Sequence, residues 1–412
     1  MNRPMCGLQP SLAAAEPQEP KTLLTPPVQL AAIAAMALYL HAICWWMRPP
    51  DMGIFLEPWL AHIVHYGPLE AFSHPFSNYE PAYLYLLAAL SLAHGLIAPM
   101  YLIKALSIAG TGFLTIAVAD LLKACGSEAK HALFVLILPT AIINAALLGQ
   151  CDALWGGSCV LAVAAMIRGR TVQSLVWCGV AFAFKAQAAF IAPFIVGGLV
   201  GRRAPLWQWT IPLVVFVASL MPAWLLGWPL SKLLTVYPGQ ASAVYFPGKL
   251  ANPWMAGTMF AKEAARGYFV FGYAAALATA VAIAALTSTS VRNSRAMLTL
   301  SVLSATALPF LLPKMLERYF FLADVLSLAL ALSLRNRTAT FAAIAIQLAS
   351  LLSLLTYIYW FYTPFPTLIG AFFSTAALAA TLVLVRQSGA RWPWATRVRF
   401  TSSVTQSAST PV

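Results

Sequence analysis

The chain has 412 residues, of which 61% are hydrophobic and only 9% charged, against about 25% charged in an ordinary soluble domain. That excludes a water-soluble globular enzyme and leaves no length for a large soluble domain beside a membrane one. The net charge of +13 does not indicate nucleic acid. Lys and Arg fall in short pairs between apolar stretches (Lys123/Lys130, Arg168/Arg170, Arg202/Arg203, Arg292/Arg295, Arg335/Arg337) and in a tail carrying Arg386, Arg391, Arg397 and Arg399. This is the signature of cytoplasmic loops of a membrane protein, not of a basic binding face.

Residues 1–27 are polar and Pro-rich and predict a disordered cytoplasmic N-terminus. The first apolar run, 28–46, starts too late for a cleavable signal peptide and reads as a retained helix. Further runs follow at 81–98, 101–122, 131–148, 153–167, 172–184, 187–200, 206–227, 268–288, 296–312, 319–334, 339–361 and 366–386. Most approach the roughly 20 residues needed to span hydrocarbon as a helix, and no ten-residue alternation points to a barrel. The expected fold is therefore all-α and polytopic.

If all thirteen runs crossed, the basic pairs after the second run would fall on the wrong side. The run 81–98 is punctuated by Pro81, His94, Gly95 and Pro99, and is predicted instead as a juxtamembrane helix on the outer face. Twelve spans then remain within a domain of residues 28–387. Both termini are cytoplasmic, including a basic tail over 388–412, and 16 of the 25 Lys and Arg residues lie on that side. The runs 172–184 and 187–200 are short; they predict a hairpin around Lys185 and Gln187 lining a water-filled cavity. The outer side receives a first loop with its helix (47–98), the turn 149–152, a long loop (228–267) and the turn 313–318.

Six single cysteines (Cys6, Cys44, Cys125, Cys151, Cys159, Cys178) show no disulfide or zinc spacing. Seven of the twelve acids fall on the expected outer side: Asp51, Glu57, Glu70, Glu80, Asp152, Glu263 and Glu317. Outer loops must be polar, which explains some of them; carboxylates beside a membrane cavity also serve acid–base or metal chemistry. Asp51 follows the first span after Arg48-Pro49-Pro50 and either caps the next helix or faces the cavity. That helix is predicted to be interfacial, with Phe55 and Trp59 at headgroup level. Asp152 closes the turn Gly149-Gln150-Cys151-Asp152 and also has a capping alternative. Lys185, embedded in apolar sequence, either snorkels or meets an anion such as a lipid phosphate. Lys314, Glu317 and Arg318 share one turn, as a phosphate site or a surface ion pair. Tyr237, Tyr245, Phe246 and Trp254 in the long loop either form an interfacial belt or stack on sugars.

Together these segments resemble a family. The run Asp51…Phe55…Trp59…Ser77-Asn78-Tyr79-Glu80-Pro81-Ala82-Tyr83 is similar to the first outer loop of GT-C fold glycosyltransferases. Gly149-Gln150-Cys151-Asp152 resembles their second acidic motif in its bacterial form. Phe184-Lys185-Ala186-Gln187 with Pro193 resembles a Lys-x-Gln motif. Leu316-Glu317-Arg318-Tyr319 resembles a His-Glu-Arg-Tyr motif, with leucine in place of the histidine. The motifs run in family order over residues 51–319.

The resemblance implies transfer of a hexose, mannose or glucose, from a polyprenyl-phosphate donor to a lipid or glycan acceptor on the periplasmic face of a bacterial inner membrane. It makes Asp51 the base, Asp152 its helper, and Lys185, Arg318 and Lys314 the ligands of the donor phosphate. Asn78, Tyr79, Glu80, Gln150, Gln187 and Glu317 become substrate contacts. No cofactor is expected; some relatives bind a divalent metal, but no metal cluster stands out here. The alternative is a transporter or lipid-linked-sugar flippase, whose mark is charge near the midplane and an internal repeat; no tandem repeat is evident, and acids gathered on one face favour a one-sided active site.

Overall fold

In this computed structural model the described residues are 26–243, 249–255, 257, 267–358 and 365–393. The expected disordered N-terminus, most of the basic tail, and Tyr245, Phe246 and Glu263 of the long loop lie outside them. Every apolar run becomes a helix or a pair of helical segments, and no strand occurs among the described residues. We label the helices α1 Pro26–Trp45, α2 Glu57–Tyr66, α3 Pro81–Ser91, α4 Pro99–Ala124, α5 Pro139–Leu147, α6 Asp152–Ile167, α7 Thr171–Phe184, α8 Ala192–Gly201, α9 Ile211–Leu225, α10 Leu230–Leu233, α11 Val236–Ala243, α12 Phe269–Ser290, α13 Ser294–Leu311, α14 Phe321–Leu334, α15 Arg337–Ile358 and α16 Phe365–Gln387. Proline opens α3, α4 and α5 and sits in the first turn of α2, α8 and α9, where its missing N–H has no helical partner to lose.

Seven helices are long and apolar enough to cross a membrane, or eight if the 3-10 segment Ala129–Ile137 and α5, bent by 59°, form one span. Four of the shorter apolar helices, α6, α7, α14 and the segment Ala186–Gly201 that ends in α8, would bring the number to twelve. The fifth, α3, is about 16 Å long at 1.5 Å per residue, which is too short to cross. Helices α6 and α14 are buried along most of their length, so they match protein neighbours rather than lipid. At the periphery, α1 presents almost all of its surface outward, whereas 83% of α13 is enclosed; an apolar exterior on such a bundle is what hydrocarbon solvation requires.

The basic pairs collect at one end. Arg168 holds Asp120 at 2.6 Å, Arg335 meets Glu128 at 3.4 Å, and Arg202 donates to the carbonyls of Met166, Ile167 and Val291. The turns that carry Asp51, Gln150, Asp152, Lys185 and Arg318 gather at the other end. Where α8 crosses α12, Gly197 and Gly201 form a small-residue stripe; a Cβ on either would strike the backbone carbonyl of Ala284 or Ser288. Close backbone approach at such stripes is a main source of helix association in lipid. Gly201→Leu should therefore lower the thermal transition of the detergent-purified protein by several degrees. Gly112→Leu, at a position with open space around it, should leave it nearly unchanged.

Candidate functional site

The chain leaves α1 through a clamp. Lys104, fully buried on α4, donates from its Nζ to the carbonyl oxygens of Cys44 (2.9 Å), Trp45 (2.8 Å) and Met47 (2.5 Å). These are the orphan acceptors of a helix C-terminus, where a cation also suits the dipole. Pro49 and Pro50 follow, and a π-helical turn, Met52–Leu56, leads into α2. Asp51 precedes that turn with helical backbone angles, and its side chain caps nothing. Its carboxylate accepts from the Tyr357 hydroxyl, from Gln150 Nε2 at 3.1 Å and from Arg318, whose Nη2 lies 3.2 Å away.

Gln150 reaches Asp51 because Gly149 adopts φ +65°, a left-handed turn in which an added Cβ would sit 2.6 Å from the Met52 side chain. Only glycine supplies both the angle and the room. The Gln150 amide is oriented from its other side by the Tyr79 hydroxyl, which donates to Oε1 at 3.0 Å. Burial pushes the Tyr79 hydroxyl up to about 12, so it remains a donor at neutral pH. Tyr79 in turn packs on Trp59 at 4.9 Å between ring centres. Trp59 is thus buried within the first loop rather than lying at headgroup level as expected, while Phe55 stays exposed.

Asp152 opens α6, where the capping position belongs to Cys151. Its carboxylate is buried and fully engaged, accepting from Asn144 Nδ2 (2.6 Å), Trp155 Nε1 (2.9 Å) and Lys185 Nζ. Lys185 lies at the break where α7 ends in an extended residue, and its ammonium also sits 5.1 Å from the Tyr79 ring centre. Snorkelling is excluded, since the side chain points inward to a carboxylate. Arg318 bridges Asp51 and Glu317, with Nε 3.4 Å from the latter, and its guanidinium lies 6.0 Å from the Tyr357 ring centre. Its Nη1 is buried and has no hydrogen-bond partner.

The structure therefore brings together Asp51, Tyr79, Gln150, Asp152, Lys185, Glu317 and Arg318 from five chain segments. Four predicted residues stand apart from this network. Gln187 lies against the Tyr319 hydroxyl. Asn78 is exposed, and its backbone carbonyl accepts from Gln240. Lys314 takes a left-handed backbone with φ +61° and makes no ion pair among the described residues. Glu80 is 1% exposed, and its Oε2 has no partner. In the long loop, Tyr237 donates to the Phe182 carbonyl and packs on Phe182 and Phe216, and Trp254 donates to the Leu311 carbonyl at 2.7 Å; both rings brace helices.

Sequence reasoning missed Tyr357, Lys249, whose ammonium lies 4.9 Å from the Tyr357 ring centre, Asn144 and Lys104. Asn144 and Lys104 carried a readable signal, each being a costly polar group in an apolar run. Tyr357 sits in an aromatic-rich span end that offers none. Among the described residues no three His, Cys, Asp or Glu gather as a metal would require, and Asp51 and Asp152 each face a protein cation instead.

Residues 64–201, about a third of the chain, match the family model described as Alpha-(1->6)-mannopyranosyltransferase, N-terminal domain (MptA_B family). Over these residues the chain is similar to a mannosyltransferase-family domain, and its apolar helices make a polytopic all-α fold. The matched region holds Tyr79, Gln150, Asp152 and Lys185 and leaves Asp51, Arg318 and Tyr357 on either side of it. No curated protein sequence matches the chain.

Two predictions follow from charge burial. Removing one member of a buried ion pair strands the other, typically at about 3–5 kcal/mol, whereas removing both costs less. Lys185→Met and Asp152→Asn should each sharply lower the resistance to unfolding in an SDS titration, and the double variant should recover part of the loss. Burial also raises the Glu80 carboxyl to about 8. Between its ordinary value and that one, the folded protein keeps a proton that the unfolded chain releases, so stability falls as pH rises through this window. Glu80→Gln should therefore gain on the wild type in melting temperature from pH 5 to pH 8, and a constant difference across that range would refute the assignment.

Proposed function

We propose that the protein transfers mannose from a polyprenyl-phosphate donor to a lipid or glycan acceptor at the outer face of the membrane, with Asp51 as the base. The observation that carries the reading is the Asp51–Arg318 pair, in which a carboxylate and a guanidinium with an unpartnered buried N–H stand side by side. An acceptor hydroxyl must lose a proton as it attacks the anomeric carbon, and a carboxylate within hydrogen-bond reach can take it. The leaving phosphate gains charge in the same step, and a donor already desolvated and fixed stabilises that charge without reorganisation. The free Nη1 of Arg318 is such a donor. Tyr357 and Gln150 fix the carboxylate's orientation.

Lys185 supports the site from behind. Its charge is balanced by Asp152, so it contributes a local dipole and holds Tyr79, rather than a full free charge toward phosphate. This reading moves the main phosphate role to Arg318. The gathering of the basic loop pairs at the end opposite the site supports an outward-facing centre through the positive-inside rule.

The test is a transfer assay with purified protein, radiolabelled polyprenyl-phosphate mannose and a lipid extract as acceptor. Asp51→Asn should lose about 10²–10⁴-fold in turnover, the usual worth of a general base, while eluting as a folded protein. Full transfer by that variant would remove Asp51 from the base role, and transfer from polyprenyl-phosphate glucose alone would replace the sugar.

A further inference from the structure

A second cation stands beside Asp51, and it comes from the long outer loop. Residues 249–252 return from that loop and are sewn to the bundle. The N–H groups of Lys249 and Leu250 both donate to the Met315 carbonyl, at 3.0 and 3.2 Å, in the turn that carries Glu317 and Arg318. The Ala251 N–H donates to Ser353 Oγ on α15 at 2.9 Å, and the Ala251 carbonyl accepts from Ser374 Oγ on α16 at 2.8 Å. Asn252 Nδ2 donates to the carbonyls of Pro309 and Leu312, at 3.2 and 3.3 Å. Leu250, Ala251 and Asn252 are buried. Backbone tied to the bundle in this way holds the side chain of Lys249 at a set place, as a binding group requires.

That place is the ring of Tyr357. The Lys249 ammonium lies over it, 4.9 Å from the ring centre, and the Arg318 guanidinium lies 6.0 Å from the same centre. The hydroxyl of that ring donates to Asp51. One side chain thus touches the candidate base at its tip and has two cations about its ring. An aromatic ring attracts each cation through its quadrupole, but the two cations repel one another. Two like charges held close together make a region of positive potential, which favours an anion. The two are also complementary as anion ligands. Arg318 offers a planar fork of fixed direction, including the buried Nη1 without a partner, and Lys249 offers a compact point charge on a flexible stem.

We infer that Lys249 binds the phosphate of the polyprenyl-linked donor together with Arg318. The inference rests on the transfer reading above and gives that site its second phosphate ligand, the role that sequence reasoning assigned to Lys185 and Lys314. In the transfer step the acceptor oxygen bonds to the anomeric carbon and the bond from that carbon to the phosphate oxygen breaks. The electron pair of the broken bond stays on the phosphate, and the acceptor's proton goes to Asp51. Negative charge therefore passes from Asp51 to the phosphate, within reach of the same two cations. Arg318 is already shared between Asp51 and Glu317, so a second cation at the phosphate meets the charge that develops there.

The experiment measures binding of undecaprenyl phosphate to the purified full-length protein in detergent by microscale thermophoresis. Undecaprenol, the same chain ending in an uncharged hydroxyl, is measured beside it. The wild type should bind the phosphate more tightly than the alcohol. Lys249→Met and Lys249→Gln should each weaken phosphate binding by about tenfold, the scale of one charge-assisted hydrogen bond, and leave undecaprenol binding as it was. Lys249→Arg should recover most of the loss. Lys232→Met, at an exposed lysine of the same loop, should bind as the wild type does. With polyprenyl-phosphate mannose, Lys249→Met should raise KM for the donor and also lower kcat, because the phosphate gains charge in the transition state. No preference of the wild type for phosphate over alcohol, or unchanged phosphate binding by Lys249→Met, overturns the inference even where the wild type transfers mannose. A loss that extends equally to undecaprenol in both neutral variants overturns it too. Absence of transfer by a wild type whose phosphate binding depends on Lys249 overturns the transfer reading instead and leaves the phosphate site standing.

Discussion

A lysine ammonium in the interior of an apolar bundle must find its partners in the protein, and the Asp152–Lys185 pair is the constraint from which the site's architecture follows. Lys185 sits where α7 breaks into extended backbone, and Asp152 where the turn from α5 becomes α6. Neither charge could remain at its position if the other moved. The pair thus locks a helix break to an interhelical turn, and two further donors, Asn144 and Trp155, complete the carboxylate's shell. With those two elements fixed, Gly149 and Gln150 of the same turn are presented to the first loop, and Gln150 can reach Asp51.

A second device works from the other side. Lys104 collects the last two carbonyls of α1, those of Cys44 and Trp45, and that of Met47 just beyond the helix, which holds the end of that helix and hence the place where Asp51, four residues past Met47, begins its turn. Asp51 is consequently held from two directions: through the backbone by a buried lysine on α4, and through its side chain by Tyr357, Gln150 and Arg318. In a protein whose loops connect helices in lipid, fixing a loop acid this firmly needs polar anchors inside the bundle. Those anchors draw their partners from the protein, because water is not there to make up the difference.

Much of this was legible in the sequence, for definite reasons. The apolar runs marked the helices because no other backbone form spans lipid; within the run 81–98, helix covers only the 11 residues of α3, and Gly95 and Pro99 had already marked its interruption. The grouping of Asp51, Gln150, Asp152, Lys185 and Arg318 could be anticipated because each sits at a span end on the same expected side. What could not be read was which groups touch. Nothing in the sequence says that Lys185 pairs with Asp152 rather than with a ligand, or that Trp59 turns inward. Tyr357 was hidden among neighbouring aromatics, and its role depends on a contact spanning 306 positions in the chain. Composition and period carry information about environment, whereas partner choice is settled by packing.

The two acids of the site differ in a way that bears on their roles. Asp152 is 2% exposed and shares its oxygens among three donors, one of them a cation. A proton delivered there would have to displace the lysine and strand it, so the group is poorly suited to gain and lose protons during turnover. Asp51 is met by two neutral donors and a guanidinium at a longer 3.2 Å, and its side chain retains 15% exposure. It can accept a proton while Arg318 keeps Glu317 as a counter-charge, so no cation is left alone when the carboxylate is neutralised. On the proposed reading, Glu317 is the counter-charge that stays with Arg318 when Asp51 takes up the acceptor's proton.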